Sequence, residues 1–377
     1  MKTLRILFFI ALTLLFNGIS VRAQINADTT FPTSIFSGLQ GQNHVQGIAY
    51  DSENECLYMS FTTSLIKVDM QGRLLGSVVG LTGHLGCIGL NHADGTLYGT
   101  LEYKHDAIGK GIGDGTNDTA TGFYVALFDT KYITRVGMEA SEVMRTVYLP
   151  AVSADYEARV MNQGREHEHR FGCSGVDGLC LAPKVGKGGG KMMLYVAYGI
   201  YSEEDRTDND YQVIHCYDIS HWQRFAQPLT PSHLHFEGPA RPSKVYYVRT
   251  GNTNFGVQNL CYDASSHRMW MSVYPGQKKG WNHYGTYAVS LLQKAGKKTL
   301  RGIEPATKGR VLQLVHEGEY DAPNDVWGWS FSKGSTGITS LGAGLYYISH
   351  NERREGRECT TLYLYRYSPT EGFVRVP

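Results

Sequence analysis

Four side chains have the chemistry of an acid–base site: Glu102, Asp177, Tyr274 and His350. Two carboxyl groups held about 5–9.5 Å apart cleave glycosides, with Glu102 and Asp177 as the acid/base pair. A histidine beside a tyrosine supplies instead the base and the acid for β-elimination from a uronic acid, and His350 or His105 with Tyr274 would fill those roles. Both reactions stay open. Glu102 and Asp177 also have a structural alternative, which is to accept hydrogen bonds from main-chain N–H groups.

Other side chains in the same segments suit the binding of a sugar. Arg170 and Arg353 can each hold a carboxylate through two parallel hydrogen bonds. Trp281 offers an aromatic face on which a sugar ring can lie, and His283 follows in the same segment, 275–283. With His105, these residues form the predicted substrate-binding set. Internal packing is the alternative role for the tryptophan.

A repeated strand pattern must position these residues. A short apolar strand, a polar turn and a second strand that begins Leu-Tyr or similar recur in five segments: 45–61, 87–101, 176–198, 257–273 and 337–349. A third and a fourth strand follow each pair, the fourth at 73–79, 144–149, 245–250, 311–315 and 373–376. Four antiparallel strands recurring five times predict an all-β fold, a β-propeller with five blades.

The number of blades depends on how the long spacings are interpreted. Alignment of the first strands on Gln46, Ile88, Asp177, Gln258 and Ile338 gives spacings of 42, 89, 81 and 80 residues. The surplus residues are Gly-rich, charged and not alternating, which favours five blades with insertions over six or seven blades. The segment 33–38 is expected to pair with the last blade and close the ring, because an open ring leaves strand edges exposed.

The register of the strands predicts which side chains meet. Alignment of the second strands on their Leu-Tyr positions makes Thr62, Glu102, Gly199, Tyr274 and His350 equivalent. These positions lie at the face that receives the longest loops, where binding and catalysis usually occur. Asp177 belongs to a first strand that begins at the same face. We therefore expect Glu102, Asp177, Tyr274 and His350 to converge at the mouth of the central channel, although a slip of one residue would turn each side chain to the opposite face.

The motifs VDGLCLAP at 176–183 and VQNLCYD at 257–263 make the chain similar to secreted β-propellers of the gluconolactonase and regucalcin-like family. That resemblance implies a divalent cation such as Ca²⁺, held at inner-strand positions by a Glu and Asn-type ligands. The aligned positions carry Gln46, Asp177 and Gln258, which are the candidate metal ligands, and Asn259 follows by one residue. The family's Glu has no counterpart here.

Composition and the N-terminus restrict the classes of function. Lys and Arg total 36 against 35 Asp and Glu, a balance that does not favour nucleic acid as a partner. A basic start, an apolar run and Val21-Arg22-Ala23 predict a signal peptide over 1–23, then a single propeller domain over 24–377 that is secreted or periplasmic. After cleavage no membrane insertion is expected. The seven cysteines, an odd number, are expected to be mostly buried thiols.

These features favour an exported carbohydrate-active enzyme, of the glycoside hydrolase or polysaccharide lyase type, whose partner is a carbohydrate or another small molecule. Two alternatives remain open. The propeller could bind a glycan or a protein without catalysis, because fold does not determine function. The family resemblance implies instead a metal-dependent, lactonase-like hydrolase.

Overall fold

The computed structural model describes residues 30–106, 109–110, 121–230 and 232–377. The predicted signal peptide lies outside these residues. Residues Phe31–Pro377 form one compact unit, mostly β with 52% strand and 7% helix, and the arrangement is a five-bladed β-propeller. The prediction of five blades is therefore confirmed. No helix among the described residues has the length and apolar character needed to cross a membrane.

Each blade is an antiparallel sheet that begins at an inner strand. Blade 1 contains β2 (Gly47–Asp51), β3 (Cys56–Phe61), β4 (Ser64–Asp69) and β5 (Leu74–Val79). Blade 2 contains β6 (His84–Asn91), β7 (Thr96–Tyr103), β8 (Gly122–Asp129) and β10 (Met144–Tyr148). Blade 3 contains β13 (Cys173–Pro183), β14 (Met192–Ile200), β15 (Tyr211–Tyr217) and β16 (Lys244–Arg249). Blade 4 contains β17 (Thr253–Asp263), β18 (Arg268–Pro275) and β19 (Thr286–Ser290). Blade 5 contains β24 (Ile338–Gly342), β25 (Leu345–Arg354), β26 (Arg357–Ser368) and β27 (Gly372–Arg375).

The insertions between blades carry shorter elements. The strands are β9 (Met138–Glu139), β11 (Arg159–Asn162), β12 (Arg165–Glu168), β20 (Gly296–Thr299), β21 (Lys308–Val311), β22 (Glu319–Asp321) and β23 (Val326–Gly328). The helices are α1 (Ala140–Val143) and α2 (Pro150–Tyr156), with 3₁₀ turns at Thr130–Tyr132, Arg170–Gly172 and Trp222–Arg224.

The ring closes through the N-terminal strand β1 (Ser34–Phe36). It pairs antiparallel with β26, with Ser34 opposite Tyr363. β27 pairs with another part of β26, with Tyr365 opposite Arg375, so both ends of the unit cover the edge of blade 5. The closure predicted for 33–38 is confirmed, and it removes an edge that would otherwise be open.

The fourth strand predicted at 311–315 is wrong as a continuous strand. β21 ends at Val311 and pairs parallel with β16, at the outer edge of blade 3. Blade 4 receives only an isolated bridge between Val289 and Leu314 and another between Thr286 and Trp329. The basic insertion before it forms the β20–β21 hairpin, which covers the open edge of β16 and leaves blade 4 with an irregular outer edge.

The core explains the abundance of tyrosine. The second strand of every blade places a buried aromatic ring at the same register position: Tyr58, Tyr98, Tyr195, Trp270 and Tyr346. Three of these rings have polar partners: Trp270 Nε1 donates to Tyr346 Oη at 3.1 Å, the Tyr346 hydroxyl donates to Asp263 at 3.0 Å, and the Tyr195 hydroxyl donates to the Pro183 carbonyl at 2.8 Å. All seven cysteines are buried and unpaired, which confirms the expectation of buried thiols.

Candidate functional site

The five inner strands contact one another around the axis and set the level of the candidate site. Each buried aromatic ring of a second strand pairs with one residue of the inner strand. The inner-strand residues three positions before these paired residues form one level around the axis: Gln46, Gly86, Asp177, Gln258 and Gly337. The alignment on Ile88 and Ile338 was wrong, because it slipped by two residues in blade 2 and by one in blade 5. Side chains at this level therefore come from blades 1, 3 and 4 only.

Bulges and glycines shape the inner strands at this level. The pairing register shifts between Val176 and Leu179 in β13 and between Val257 and Asn259 in β17, and such bulges redirect side chains. Gly178 allows these strands to approach closely, because a Cβ there would lie 2.8 Å from the carbonyl oxygen of Val257. Larger residues would separate the strands that bring Asp177 and Gln258 together.

Asn259 ties the inner strands to one another. Its Nδ2 donates to the carbonyl oxygens of Gln46 and Ser335, both at 2.9 Å, and its Oδ1 accepts from the Cys87 thiol at 3.3 Å. Asn259 is 1% exposed, so these bonds join four parts of the ring away from solvent. Its role is structural.

A buried ion pair stands at the end of β7. Glu102 and Lys104 lie two residues apart on one face of the chain, and Lys104 Nζ is 2.5 Å from Glu102 Oε1. The same ammonium donates to the Ser174 carbonyl at 2.9 Å and lies 3.6 Å from Asp106 Oδ2. The second oxygen of Glu102 accepts the main-chain N–H of Val176 at 3.1 Å. Both members are buried, Glu102 being 2% exposed, and they join blade 2 to blade 3.

Asp177 lies next to this pair. Its Oδ2 accepts from Gln258 Nε2 at 3.1 Å, and the lack of a side chain at Gly199 leaves room for it. Burial raises the pKa of both Glu102 and Asp177, and the Lys104 ammonium opposes that rise. Burial disfavours the charge of Lys104 itself, yet Glu102, Asp177 and Asp106 together raise its pKa above the ordinary value.

The set of side chains that could hold a cation differs from the one predicted. Gln258 presents an N–H group to Asp177, and Gln46 Nε2 lies 3.2 Å from Thr62 Oγ1, so the three predicted ligands do not present a set of oxygen atoms to one point. His84, Glu102 and Asp177 instead bring potential ligand atoms within 4.8 Å of one another. Burial, with Lys104 and His44, lowers the pKa of His84 to about 3, so this ring is neutral. The Lys104 ammonium supplies the positive charge beside Glu102.

The predicted tyrosine and histidine line an open cleft at the mouth of the channel. This cleft has a volume of about 370 Å³, and Tyr274, His350, His44, Lys333 and Glu358 are part of its lining. Blades 4 and 5 contribute Tyr274 and His350 from equivalent positions in their second strands, each four residues after the buried aromatic ring. Register, which the sequence pattern supplied, thus places both side chains at one cavity, whereas Glu102 and Asp177, which were expected to converge with them, are not part of its lining.

The neighbours of His350 and Tyr274 determine the protonation state of each side chain. His350 Nε2 and the Tyr365 hydroxyl share a hydrogen bond of 2.9 Å, and the two rings stack. Burial lowers the pKa of His350, and Lys333 and Arg375 lower it further, so the ring is neutral near pH 7. Burial raises the pKa of Tyr274, and the Asp177 carboxylate acts in the same direction, so the phenol keeps its proton.

The residues predicted to bind substrate lie elsewhere or have other contacts. Arg170 pairs with Asp155 at 3.3 Å. Trp281 packs against the guanidinium of Arg249, 4.6 Å from its ring centroid. The side chains of His105, His283 and Arg353 are also absent from the lining of the cleft.

Two of these three residues have identified partners. His283 Nε2 shares a hydrogen bond with the Lys278 carbonyl at 2.9 Å. Arg353 donates to Gln42 at 2.6 Å and lies 3.7 Å from Glu358, which does line the cleft. His105 is exposed. Arg353 is therefore the only one of the predicted binding residues within ion-pair distance of a cleft side chain among the described residues.

Sequence reasoning missed Lys104 and Lys333. Lys104 belongs to the run Glu-Tyr-Lys-His-Asp, which has the composition of an exposed loop. The signal that could have found it is the two-residue spacing from Glu102, because a strand that continued to Lys104 would place both on one face. Lys333 has no local signal, since only the packing of blade 5 against blade 4 brings it to the cleft.

No family model and no curated protein matches this sequence. Solved structures to which the chain is similar include a nidogen/laminin complex, at 10% identity and a TM-score of 0.34, covering 87% of this chain and 77% of that one. The hydrazine synthase of Kuenenia stuttgartiensis is similar at 10% identity and a TM-score of 0.32, over 91% and 68% of the two chains. The pyranose dehydrogenase PQQ domain of Coprinopsis cinerea is similar at 9% identity and a TM-score of 0.35, over 86% and 83%. At these identities and TM-scores, the likenesses identify neither a family nor a function for this chain.

Proposed function

We propose that this protein is an exported carbohydrate-active enzyme of the lyase type, which cleaves an acidic glycan by β-elimination at the mouth of the propeller. One observation carries the proposal: Tyr274 and His350 line the same cleft, of about 370 Å³, together with the cationic Lys333. Elimination from a uronic acid needs a base, an acid and a positive charge for the carboxylate. The cleft offers one group for each need.

His350 acts as the base. If Nε2 carries the ring proton and donates to the Tyr365 oxygen, the lone pair of Nδ1 is left to accept a proton. A neutral ring near pH 7 is the form that this role requires, and the neighbouring cations favour it. His350 then removes the proton from the carbon next to the uronate carboxylate.

Tyr274 acts as the acid. Its raised pKa keeps the phenolic proton in place until the glycosidic oxygen leaves. The electron pair of the broken C–H bond forms the new C=C bond, the C–O bond breaks, and the departing oxygen takes the proton of Tyr274. Lys333 stabilises the charge that develops on the carboxylate during this step.

Hydrolysis by two carboxylates has less support. Glu102 is 2% exposed, and its oxygens are engaged by Lys104 and the Val176 N–H group. Among the described residues, the lining of the cleft includes one carboxylate, that of Glu358. A glycosidase of the usual kind needs two.

A panel of acidic and neutral glycans tests the proposal. Purified protein, with added Ca²⁺ and with EDTA in parallel, is assayed for new reducing ends and for the ultraviolet absorbance of an unsaturated uronate. We expect both signals from a uronate-containing glycan, and a loss of at least about 10²-fold in rate for His350→Gln and for Tyr274→Phe. His92→Gln and Tyr132→Phe, at exposed positions, serve as matched controls and keep full activity.

Other outcomes would contradict the proposal in distinct ways. Reducing ends without unsaturated product would indicate hydrolysis. Binding of a glycan without turnover would indicate a non-catalytic binding propeller. Loss of activity in EDTA would show that a cation is required, which would contradict the assignment of the positive charge to Lys333 alone. Export is tested separately by mass spectrometry of the mature N-terminus, which we expect to follow Ala23.

A further inference from the structure

A second, strongly cationic cleft lies at the outer edge of blade 3. Its volume is about 140 Å³, and its walls include Tyr211, Arg249, Lys298, Arg301 and Trp327. The β20–β21 hairpin contributes Lys298, and Arg301 follows β20. The insertion 292–310, to which both belong, has six Lys or Arg residues against one Glu. The hairpin therefore brings positive charge to a concave surface.

The three cations of this cleft form no ion pair with the described carboxylates, although Asp325 belongs to the same lining and, with Asp210, acts on Arg249 from a greater distance. Of the carboxylates in the described part of the chain, none lies within 4 Å of Arg249, Lys298 or Arg301 in an ion pair. The half-buried Arg249 and the exposed Arg301 instead stand close enough to repel, and after burial this repulsion is the main cause that lowers the pKa of Arg249. Three cations with one carboxylate in the lining leave an excess of positive charge, and an anion that contacts the cations would reduce the repulsion between them.

Arg249 is oriented before any ligand arrives. One Nη1 hydrogen bond goes to the Asn324 carbonyl, and the guanidinium lies over the Trp281 ring at 4.6 Å. These contacts restrict the side chain and leave its other N–H groups for a planar anion. Arg301 is held through its main chain, whose N–H donates to the Tyr211 hydroxyl at 3.0 Å.

A stack of aromatic rings borders the same cleft. The Trp327 ring stacks with His316 at 5.5 Å and with Tyr320 at 4.5 Å, at interplanar angles of 17° and 21°. His316 and Tyr320 are both exposed. Flat, exposed rings beside cationic groups are suited to a ligand that has both a ring and a negative charge.

We propose that this cleft is a second ligand-binding site, which takes one negatively charged sugar unit bearing a carboxylate or a sulfate group. This cleft shares no lining residue with the cleft of Tyr274 and His350, so an acidic glycan can bind here separately. The inference does not depend on catalysis there. Phosphate shares the same anionic chemistry, and the test distinguishes it.

Isothermal titration calorimetry at low salt compares a hexagalacturonate, a sulfated heparin hexasaccharide, inorganic phosphate and neutral cellohexaose. We expect at least one acidic hexasaccharide to bind, and Lys298→Gln/Arg301→Gln to weaken that binding about tenfold or more. Lys308→Gln/Arg310→Gln removes the same charge from exposed positions outside the lining, and we expect a change of less than about twofold. Arg249→Lys, which keeps the charge but loses the planar fork, is expected to weaken binding as well.

Four results would overturn the inference. The first is that neither acidic hexasaccharide binds. The second is that the two double variants weaken binding equally, which would indicate general attraction to a basic surface. Phosphate binds as tightly as the hexasaccharides, which would exclude a contribution from the sugar ring. Cellohexaose binds as tightly as the acidic probes, which would exclude a role for charge.

Discussion

The Lys104 ammonium is expected to be essential for stability, and Lys104→Met tests this directly. At 2.5 Å from Glu102 and an effective dielectric constant of about 20, the attraction between the charges is about 7 kcal/mol before desolvation is subtracted. Removal of one member of a buried pair strands the other, and the free energy of unfolding then falls by about 3–5 kcal/mol. Arg73→Met is the matched control, because Arg73 also lies 2.5 Å from its partner, Asp69, but is 78% exposed. Its cost should be about 0–1 kcal/mol.

The stability lost in Lys104→Met is expected to depend on pH in a definite direction. Without Lys104, the folded-state pKa values of Glu102 and Asp177 rise further above those of the unfolded chain, about 4. A group with a raised folded-state pKa takes up a proton on folding, so the variant regains stability as the pH falls through that pKa. The difference between variant and wild type should therefore be larger at pH 8 than at pH 5.

Equilibrium unfolding in urea, followed by tryptophan fluorescence at both pH values, measures these differences. The additional change Glu102→Gln should recover part of the loss, because the carboxylate that Lys104→Met strands is no longer present. The reasoning is refuted if Lys104→Met costs no more than Arg73→Met, or if its cost does not decrease at pH 5.

Three further predictions concern the cleft and the inner ring. Lys333→Ala should move the acidic limb of the lyase pH–rate profile to higher pH, because a cation that lowers the pKa of His350 is removed; an unchanged limb would argue against His350 as the base. Asn259→Ala should lower the free energy of unfolding by about 2–3 kcal/mol, measured in urea, because two buried main-chain carbonyls lose their donor; a cost under about 0.5 kcal/mol would contradict its role. Gly199→Ala should cost about 1–3 kcal/mol in thermal unfolding, because its Cβ would lie 2.5 and 2.7 Å from two polar oxygens, whereas Gly189→Ala, with open space around it, should cost little.

The blades were predictable because their pattern is local. Alternation of apolar and polar residues, turn residues between strands and the aromatic residue of each second strand are all read within about 20 residues. The segment 311–315 shows where this fails. Its residues are apolar apart from Gln313 and are typical of a strand, yet the preceding insertion turns β21 toward blade 3, and a competition between two sheet edges has no local signal.

The candidate site was predictable where it depends on register. Tyr274 and His350 occupy equivalent strand positions and line one cleft, as the register predicts, but Glu102 and Asp177 do not join them there. The substrate-binding residues chosen by type alone were not predictable in this way. Arg170 pairs with Asp155, and Trp281 packs against Arg249. Which partner a side chain on a long insertion contacts depends on how that insertion packs against the blades.

The sequence alone determined most of the repeating strands and the register of the second strand in each blade, and therefore which ends of these strands face the channel mouth, since these follow from side-chain periodicity. The tertiary structure decided the rest. It buried Lys104 against Glu102, set Lys333 beside His350 and brought Arg249 close enough to Arg301 for the two charges to repel. Each of these pairings joins residues whose solvation, and therefore whose charge and reactivity, depends on which blade or insertion packs next to them. Burial of that kind is a property of the assembled ring and not of any single segment.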